Sequence, residues 1–336
     1  MKFPVFPALI TALLFTLTAC GQDYDNITDD EGDAVREVIK IGRLMCGGHL
    51  SLAIVERKFQ QDIKSFRLTT VQNQDWNAAT TAMLEGELAG TFILSPLAMN
   101  LIRDGFPGKI VLMADRNGIG FILSNAIQSI DALKTRKTIL AVPHIFSQHH
   151  VLLHTILQQH AVPKANVTIV RMRPREMTNS LRNGEIDGFI AGEPKGNNAV
   201  LTGAGWRAAA SSEIWQDHMD HVFLASNWLI EERPEQLQEL IDQLVRSGEF
   251  IEDNPAEAAV IGEDYTGSVA AVFEPVLTKP ANWITYTNMV AEERDIQGMA
   301  QKLVDMKLWN TVPANISTDY FDMSFAQKAQ NNARGN

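Results

Sequence analysis

A short segment of this chain occurs twice at one fixed spacing, and that repetition restricts the possible folds more than anything else in the sequence. Glu85-Gly86-Glu87-Leu88-Ala89-Gly90, followed by Pro96 and Asn100, returns as Asn183-Gly184-Glu185-Ile186-Asp187-Gly188, followed by Pro194 and Asn198. Paired positions differ by 98, as Gly86 and Gly184 do. The same offset lays the β-rich run Ile41–Leu44 on Ile139–Val142, and the loop after one on the loop after the other. One helix–glycine–strand joint can recur by chance, because glycine closes many helices. Several joints in one register point to two copies of one supersecondary unit.

The surrounding pattern agrees. Strand-like runs cover Val38–Met45, Phe66–Val71, Gly90–Leu94, Ile110–Ala114 and Gly120–Ser124, then Thr138–Val142, Val167–Met172 and Gly188–Ala191. Helical patterns lie between them at Leu50–Phe59, Asp75–Glu85, Ser147–Gln159 and Arg175–Arg182, with Asp75 placed to cap its helix. Such alternation predicts an α/β chain with parallel strands and crossover helices. Two similar βαβαβ units predict two lobes facing each other, with the chain crossing near Met113–Ile122 and Asp217–Ala225. Pro234–Glu252, Pro255–Gly262 and Val290–Leu308 read as helices expected to pack on the first lobe.

The ends set further bounds. After Lys2, Phe3–Thr18 is apolar but short for a membrane span, and Leu17-Thr18-Ala19-Cys20 closes it. This resembles a bacterial lipoprotein signal, which implies cleavage before Cys20 and attachment of the protein to a membrane by lipid at that cysteine. We therefore divide the chain into a signal peptide (1–20), a flexible acidic tether (21–36), lobe I (37–114 plus 223–336) and lobe II (115–222). Cys46 is the only other cysteine, so no internal disulfide is expected once Cys20 is lipidated. A net charge of −11 argues against a nucleic-acid partner, which would select a basic face.

In open parallel sheets ligands bind beyond the carboxyl ends of the strands. That rule selects the loops Cys46–Leu50, Asn73–Trp76, Ser95–Pro96, Pro143–His150 and Gly192–Lys195. Most of them open onto a helix N-terminus, where unpaired N–H groups favour an anion or polar acceptor. Gly47-Gly48 either lets backbone approach a ligand or supplies a turn with positive φ, and His49 begins the next helix. Trp76 suits the floor of a cleft or the core. Ser147, Gln148 and His149 start a helix within reach of a cleft. Glu193 is either a surface carboxylate or a buried one paired with a ligand donor or with Lys195. Arg171, Arg173 and Arg175 read as a solvated strand end more readily than as a basic edge. His150 and His154 share a helical face, but no cysteine or carboxylate joins them in sequence, so no metal or other cofactor is expected. There is no nucleophile motif and no phosphate loop, so no catalytic residue is assigned.

Asp75-Trp76-Asn77, Gly86–Gly90, Ser95-Pro96-Leu97-Ala98-Met99 and Ala141–Ser147 with His149 resemble one known family. So do Pro174-Arg175-Glu176-Met177, Gly184–Pro194 and Ile214–His218. The family is the nitrate/sulfonate/bicarbonate substrate-binding proteins of ABC importers, and the similarity covers roughly residues 38–260. It implies a two-lobed periplasmic-binding-protein-like fold (type II), each lobe a mixed, mostly parallel sheet flanked by helices. It also implies a small-molecule ligand, hinge closure and docking on ABC transporter permease subunits. By position, Trp76, His149 and Gly192 match oxyanion contacts of the nitrate and bicarbonate binders. Ile119 stands where nitrate binders have glutamine, and Gln216 where they have lysine. Loss of a donor and a charge favours a sulfonate or another organic solute over a bare inorganic anion. The same fold resembles that of thiamine-pyrimidine synthases, so an enzyme is the rival reading, beside a ligand-sensing lipoprotein. The expected ligand contacts are His49, Trp76, Ser95, Gln148, His149, Gly192, Glu193 and Lys195.

Overall fold

The computed structural model describes residues 36–280 and 283–334. The signal peptide, Cys20 and nearly all of the acidic tether lie outside the described residues. Two five-stranded sheets dominate the chain. The strands are β1 (Glu37–Arg43), β2 (Phe66–Gln72), β3 (Gly90–Leu94), β4 (Gly108–Met113), β5 (Arg116–Asn117), β6 (Ile119–Ser124), β7 (Thr138–Val142), β8 (Val167–Arg171), β9 (Gly188–Gly192), β10 (Gly205–Ala210), β11 (His221–Ser226) and β12 (Ile284–Thr285). The helices that matter for the cleft are α1 (Leu50–Ile54), α2 (Trp76–Leu84), α3 (Ser95–Arg103), α4 (Gln148–Gln159), α5 (Pro174–Arg182), α6 (Lys195–Leu201), α7 (Ser211–Ile214) and α8 (Pro234–Asp253).

The first sheet runs β2-β1-β3-β11-β4 and the second β8-β7-β9-β6-β10. In each, one strand opposes the rest: β11 is antiparallel to β3 and β4, and β6 to β9 and β10. The two sheets thus share one plan, and the molecule has the two-lobed α/β fold that the repeat predicts. All five residues of β3 are buried, as expected of a central strand covered on both faces. One face of the first sheet (Ile39, Ile41, Phe92, Phe223) packs under α1, α8 and the helix Ser324–Ala333. The other (Ile93, Leu94, Val222) packs under α2, α3 and the helix Glu293–Asp305. Among the described residues, no helix is long and apolar enough to cross a membrane.

Asp75 caps α2 by accepting the Ala78 N–H at 3.0 Å, and Ser147 caps α4 by accepting that of His150 at 3.1 Å. Two helices that the sequence pattern missed lack such a cap. No side chain caps α3 or α6, which begin within two residues of a strand end.

Between the sheets the chain crosses twice, and the two crossings are tied together. The Asn117 N–H donates to the His218 carbonyl (3.2 Å), and the Asp220 N–H to the Asp115 carbonyl (3.3 Å). β12 adds a third segment, pairing with β5. Arg116 is buried here with every N–H placed. Its Nη atoms form a bidentate pair with Asp295 (2.7 and 3.1 Å), and the remaining donors reach the carbonyls of Asp217, Asn288 and Val290. Asn117, Gly118 and Asp217 all take left-handed φ values (61°, 72° and 55°), which turn the chain sharply at the crossings.

Candidate functional site

The loops at the carboxyl ends of both sheets converge on one cleft of about 440 Å³. The first sheet contributes Leu44–Cys46 after β1, Gln72–Asn77 after β2, and His221 at the start of β11. From the second come Pro143-His144 after β7, Arg171–Glu176 after β8, and Gly192, Glu193 and Lys195 after β9, with His149 on α4.

Trp76, His149, Gly192, Glu193 and Lys195, all expected from sequence, line this cleft. His49, Ser95 and Gln148 do not: each is buried with no measurable exposure, behind the lining. The His49 Nδ1 accepts the Leu44 N–H (2.9 Å), and its ring supports Trp76 edge-on at 5.9 Å. Gln148 donates through Nε2 to the buried Asp220 carboxylate. These three support the lining and do not touch the open space.

Several details depart from the sequence reading. Glu193 is buried, and its partners are the Asn197 N–H (2.7 Å) and Arg207 Nη2 (3.0 Å). Lys195 does not pair with it. Its Nζ donates to the Thr266 carbonyl at 2.7 Å, from the second lobe to the first. Gly47 and Gly48 do not have positive φ. They are needed for room: a Cβ on Gly47 would lie 2.4 Å from the Glu193 carbonyl oxygen, and one on Gly48 2.1 Å from His221 Nδ1. Arg171, Arg173 and Arg175 are exposed, as a solvated strand end would be, yet they also form the cleft's rim. Neither buried Ile119 nor exposed Gln216 lines the cleft.

Two buried side-chain nitrogens in the lining, Trp76 Nε1 and His149 Nδ1, have no hydrogen-bond partner. Buried polar groups are seldom left unsatisfied, so a donor and a donor-or-acceptor stand ready for a ligand. Burial holds His149 well below the usual imidazole range, helped by His221 and His218. Its ring is therefore neutral at pH 7 and can offer both roles. Burial pushes Glu193 up, against the pull of Arg207 and the Asn197 N–H.

Sequence reasoning missed a polar cluster at the cleft floor. His221 Nε2 lies 3.2 Å from Cys46 Sγ, while its Nδ1 faces Asp115 Oδ1 at 3.2 Å and Asp220 Oδ1 at 3.3 Å. Burial would lower the pKa of His221, but Asp220, Cys46 and Asp115 outweigh it and raise the ring well above its usual value. The available signal was two acidic residues and a histidine bordering the apolar strands β4 and β11. It was passed over because those residues fell in the stretches assigned to the lobe crossings.

Comparison with known proteins places the site in context. The nitrate import ATP-binding protein NrtC of Synechococcus elongatus is 31% identical over 196 residues, 53% of this chain. The present chain spans only 30% of that protein's length. Among solved structures, the ligand-binding component of an ABC-type import system from Staphylococcus aureus, with zinc bound, superposes with a TM-score of 0.80 at 20% identity. It covers 88% of this chain and 99% of that one. The periplasmic nitrate-binding protein NrtA from Synechocystis gives 0.74 at 16% identity, covering 88% of each chain. The fold is not confined to binding proteins: the desulfurization enzyme DSZB gives 0.66 at 14% identity, covering 89% of this chain and all of its own. The NMT1-like family model matches residues 33–263, spanning both sheets and every loop of the cleft, and the chain belongs to that family.

Proposed function

We propose that this chain is the solute-binding component of an ABC importer, and that it captures a small polar or anionic organic molecule between its lobes. The observation that carries the reading is the composition of the cleft, whose walls come from strand-end loops of both sheets. A solute in contact with both walls stabilises whichever arrangement brings them together, through its differential affinity for that state. The crossings at residues 115–122 and 217–225 act as the hinge, and lipid on Cys20 holds the protein at the membrane beside its permease.

The solute's class follows from the lining. Arg171, Arg173 and Arg175 at the rim favour an anion, and the unpartnered Trp76 Nε1 offers a donor deep in the cleft. At about 440 Å³ the space suits a molecule with an organic body, and nitrate or bicarbonate would fill only a small part of it. A sulfonate or comparable organic acid fits best.

The test is a thermal-shift screen followed by calorimetry against alkanesulfonates, small carboxylates, pyrimidines, nitrate and bicarbonate. An organic anion should raise the melting temperature by mass action. Replacing Arg171 and Arg175 together with alanine should weaken its binding at least tenfold. If only nitrate or bicarbonate bound, the proposed solute class would be wrong. Catalytic turnover of a bound compound would favour an enzyme over a carrier.

A further inference from the structure

The cluster at the cleft floor has no role in the solute contacts described above. Cys46 Sγ and one nitrogen each of His49 and His221 lie within 4.8 Å of one another, and both Cys46 and His221 line the cleft. We propose that this cluster is a binding site for a thiophilic transition-metal ion such as Zn²⁺, with Cys46 Sγ and His221 Nε2 as its protein ligands and its remaining positions open to the cleft. This rests on the solute-binding reading and deepens it. The anionic solute, or water, completes the coordination shell, so the cargo is held through a metal.

Geometry supports the assignment. Sulfur and nitrogen bound to one tetrahedral zinc lie about 3.5 Å apart, given bonds of about 2.3 and 2.0–2.1 Å. The observed 3.2 Å needs only a slight opening. His221 Nδ1 faces Asp115 Oδ1, so once Nε2 gives up its proton to the metal the remaining ring proton stays on Nδ1, held by the carboxylate. A carboxylate behind a histidine is the usual outer support of a metal-binding imidazole. Gly48 supplies the space for it, since a Cβ there would displace the ring.

Charge supports it independently. Asp115 and Asp220 are both buried, and the ion pairs they make are with His221 alone. Asp115 Oδ2 has no partner at all. Two carboxylates and a thiol surround one imidazole away from water, and a divalent cation bound among them is attracted to both carboxylates. When the metal binds, the Cys46 thiol and His221 Nε2 each release a proton to solvent as the S–metal and N–metal bonds form. His49 serves differently. Its Nδ1 accepts the Leu44 N–H, so the ring proton sits on Nε2, which is buried without a partner.

The experiment uses the full chain, Zn²⁺ and Co²⁺ as probes, and the Cys46→Ala and His221→Gln variants. Wild-type protein should bind one Zn²⁺ with a Kd of 10 µM or tighter, and its Co²⁺ adduct should show a thiolate-to-cobalt charge-transfer band. Cys46→Ala should abolish the band and weaken Zn²⁺ at least tenfold, with His221→Gln weakening it similarly. The absence of a band in the wild type, unchanged Zn²⁺ affinity in Cys46→Ala, or a band that survives there through Cys20, would each overturn the proposal. Failure of the metal test with organic anions still binding would leave the solute-binding reading standing. A Cys46-dependent metal in a protein that binds no solute would do the reverse.

Discussion

Arg116 shows how much structure one side chain can organise. It is buried, its five N–H groups are all accepted, and the acceptors come from the opposite crossing, from the segment before the helix Glu293–Asp305 and from Asp295 within that helix. Replacing it with methionine removes the Arg116 donors from three carbonyls and leaves the buried Asp295 carboxylate without a counter-charge, holding only the Glu292 N–H. Truncating one member of a buried pair costs about 3–5 kcal/mol, and urea unfolding of Arg116→Met should show a loss of that size. His218, in the opposite crossing, is pushed down to about 4, chiefly by burial. The unfolded chain takes up this proton near pH 6.5, whereas the native state holds it off until about 4. The contribution is therefore complete above pH 6.5 and is lost as pH falls toward 4. By pH 5 the loss amounts to about 2 kcal/mol. Unfolding free energies of wild type and His218→Gln at pH 7.5 and pH 5 should differ in slope by about that amount; parallel slopes would refute the assignment.

At the scale of elements, the repeat read from sequence extends further than the motifs that revealed it. Helix α2 spans 76–84 and α5 spans 174–182; β3 spans 90–94 and β9 188–192; both ends of each pair keep the offset of 98. Strands, caps and helices with a strong periodic signal were legible, because Asp75, Ser147 and the glycine joints act locally. Strands β10 and β11 were not. Their identity as strands depends on partners far away in sequence, β6 for one and β3 with β4 for the other. The candidate site divides the same way. Trp76, His149 and Gly192 follow from strand-end topology, but the Cys46–His221 contact joins residues 175 apart and leaves no local trace. Gly47 and Gly48 stood out in the sequence as either a close-approach pair or a positive-φ turn, and the structure rules out only the turn. Gly48→Ala should force His221 away and cost about 1–3 kcal/mol by overpacking. Gly47→Ala meets backbone of the other lobe, and should loosen the closed arrangement with a smaller effect on unfolding. Solution scattering and urea unfolding on the two variants separate these outcomes.

Among the described residues the lobes are joined by the paired crossings, by the Lys195–Thr266 contact, by the Asn197 side chain on the Val272 carbonyl, and by the cation–π contacts of Arg207 with Trp283 and Lys302 with Trp215. If the lobes swing apart about the crossings, the Lys195 and Asn197 hydrogen bonds between them break. Solution scattering should therefore show a larger radius of gyration without solute than with it. Lys195→Ala should shift the unliganded protein further toward the expanded form. Equal dimensions in the presence and absence of a tightly bound solute would rule out hinge closure.

The position of β11 has a consequence for how the protein is made. It lies between β3 and β4, yet it is encoded after the entire second sheet. A growing chain that ends before Ser226 therefore has β3 and β4 with no strand to bridge them, and the first sheet stays incomplete until the second has been synthesised. The amino-terminal half cannot lock early, so the first sheet closes only late in synthesis, once β11 has been made.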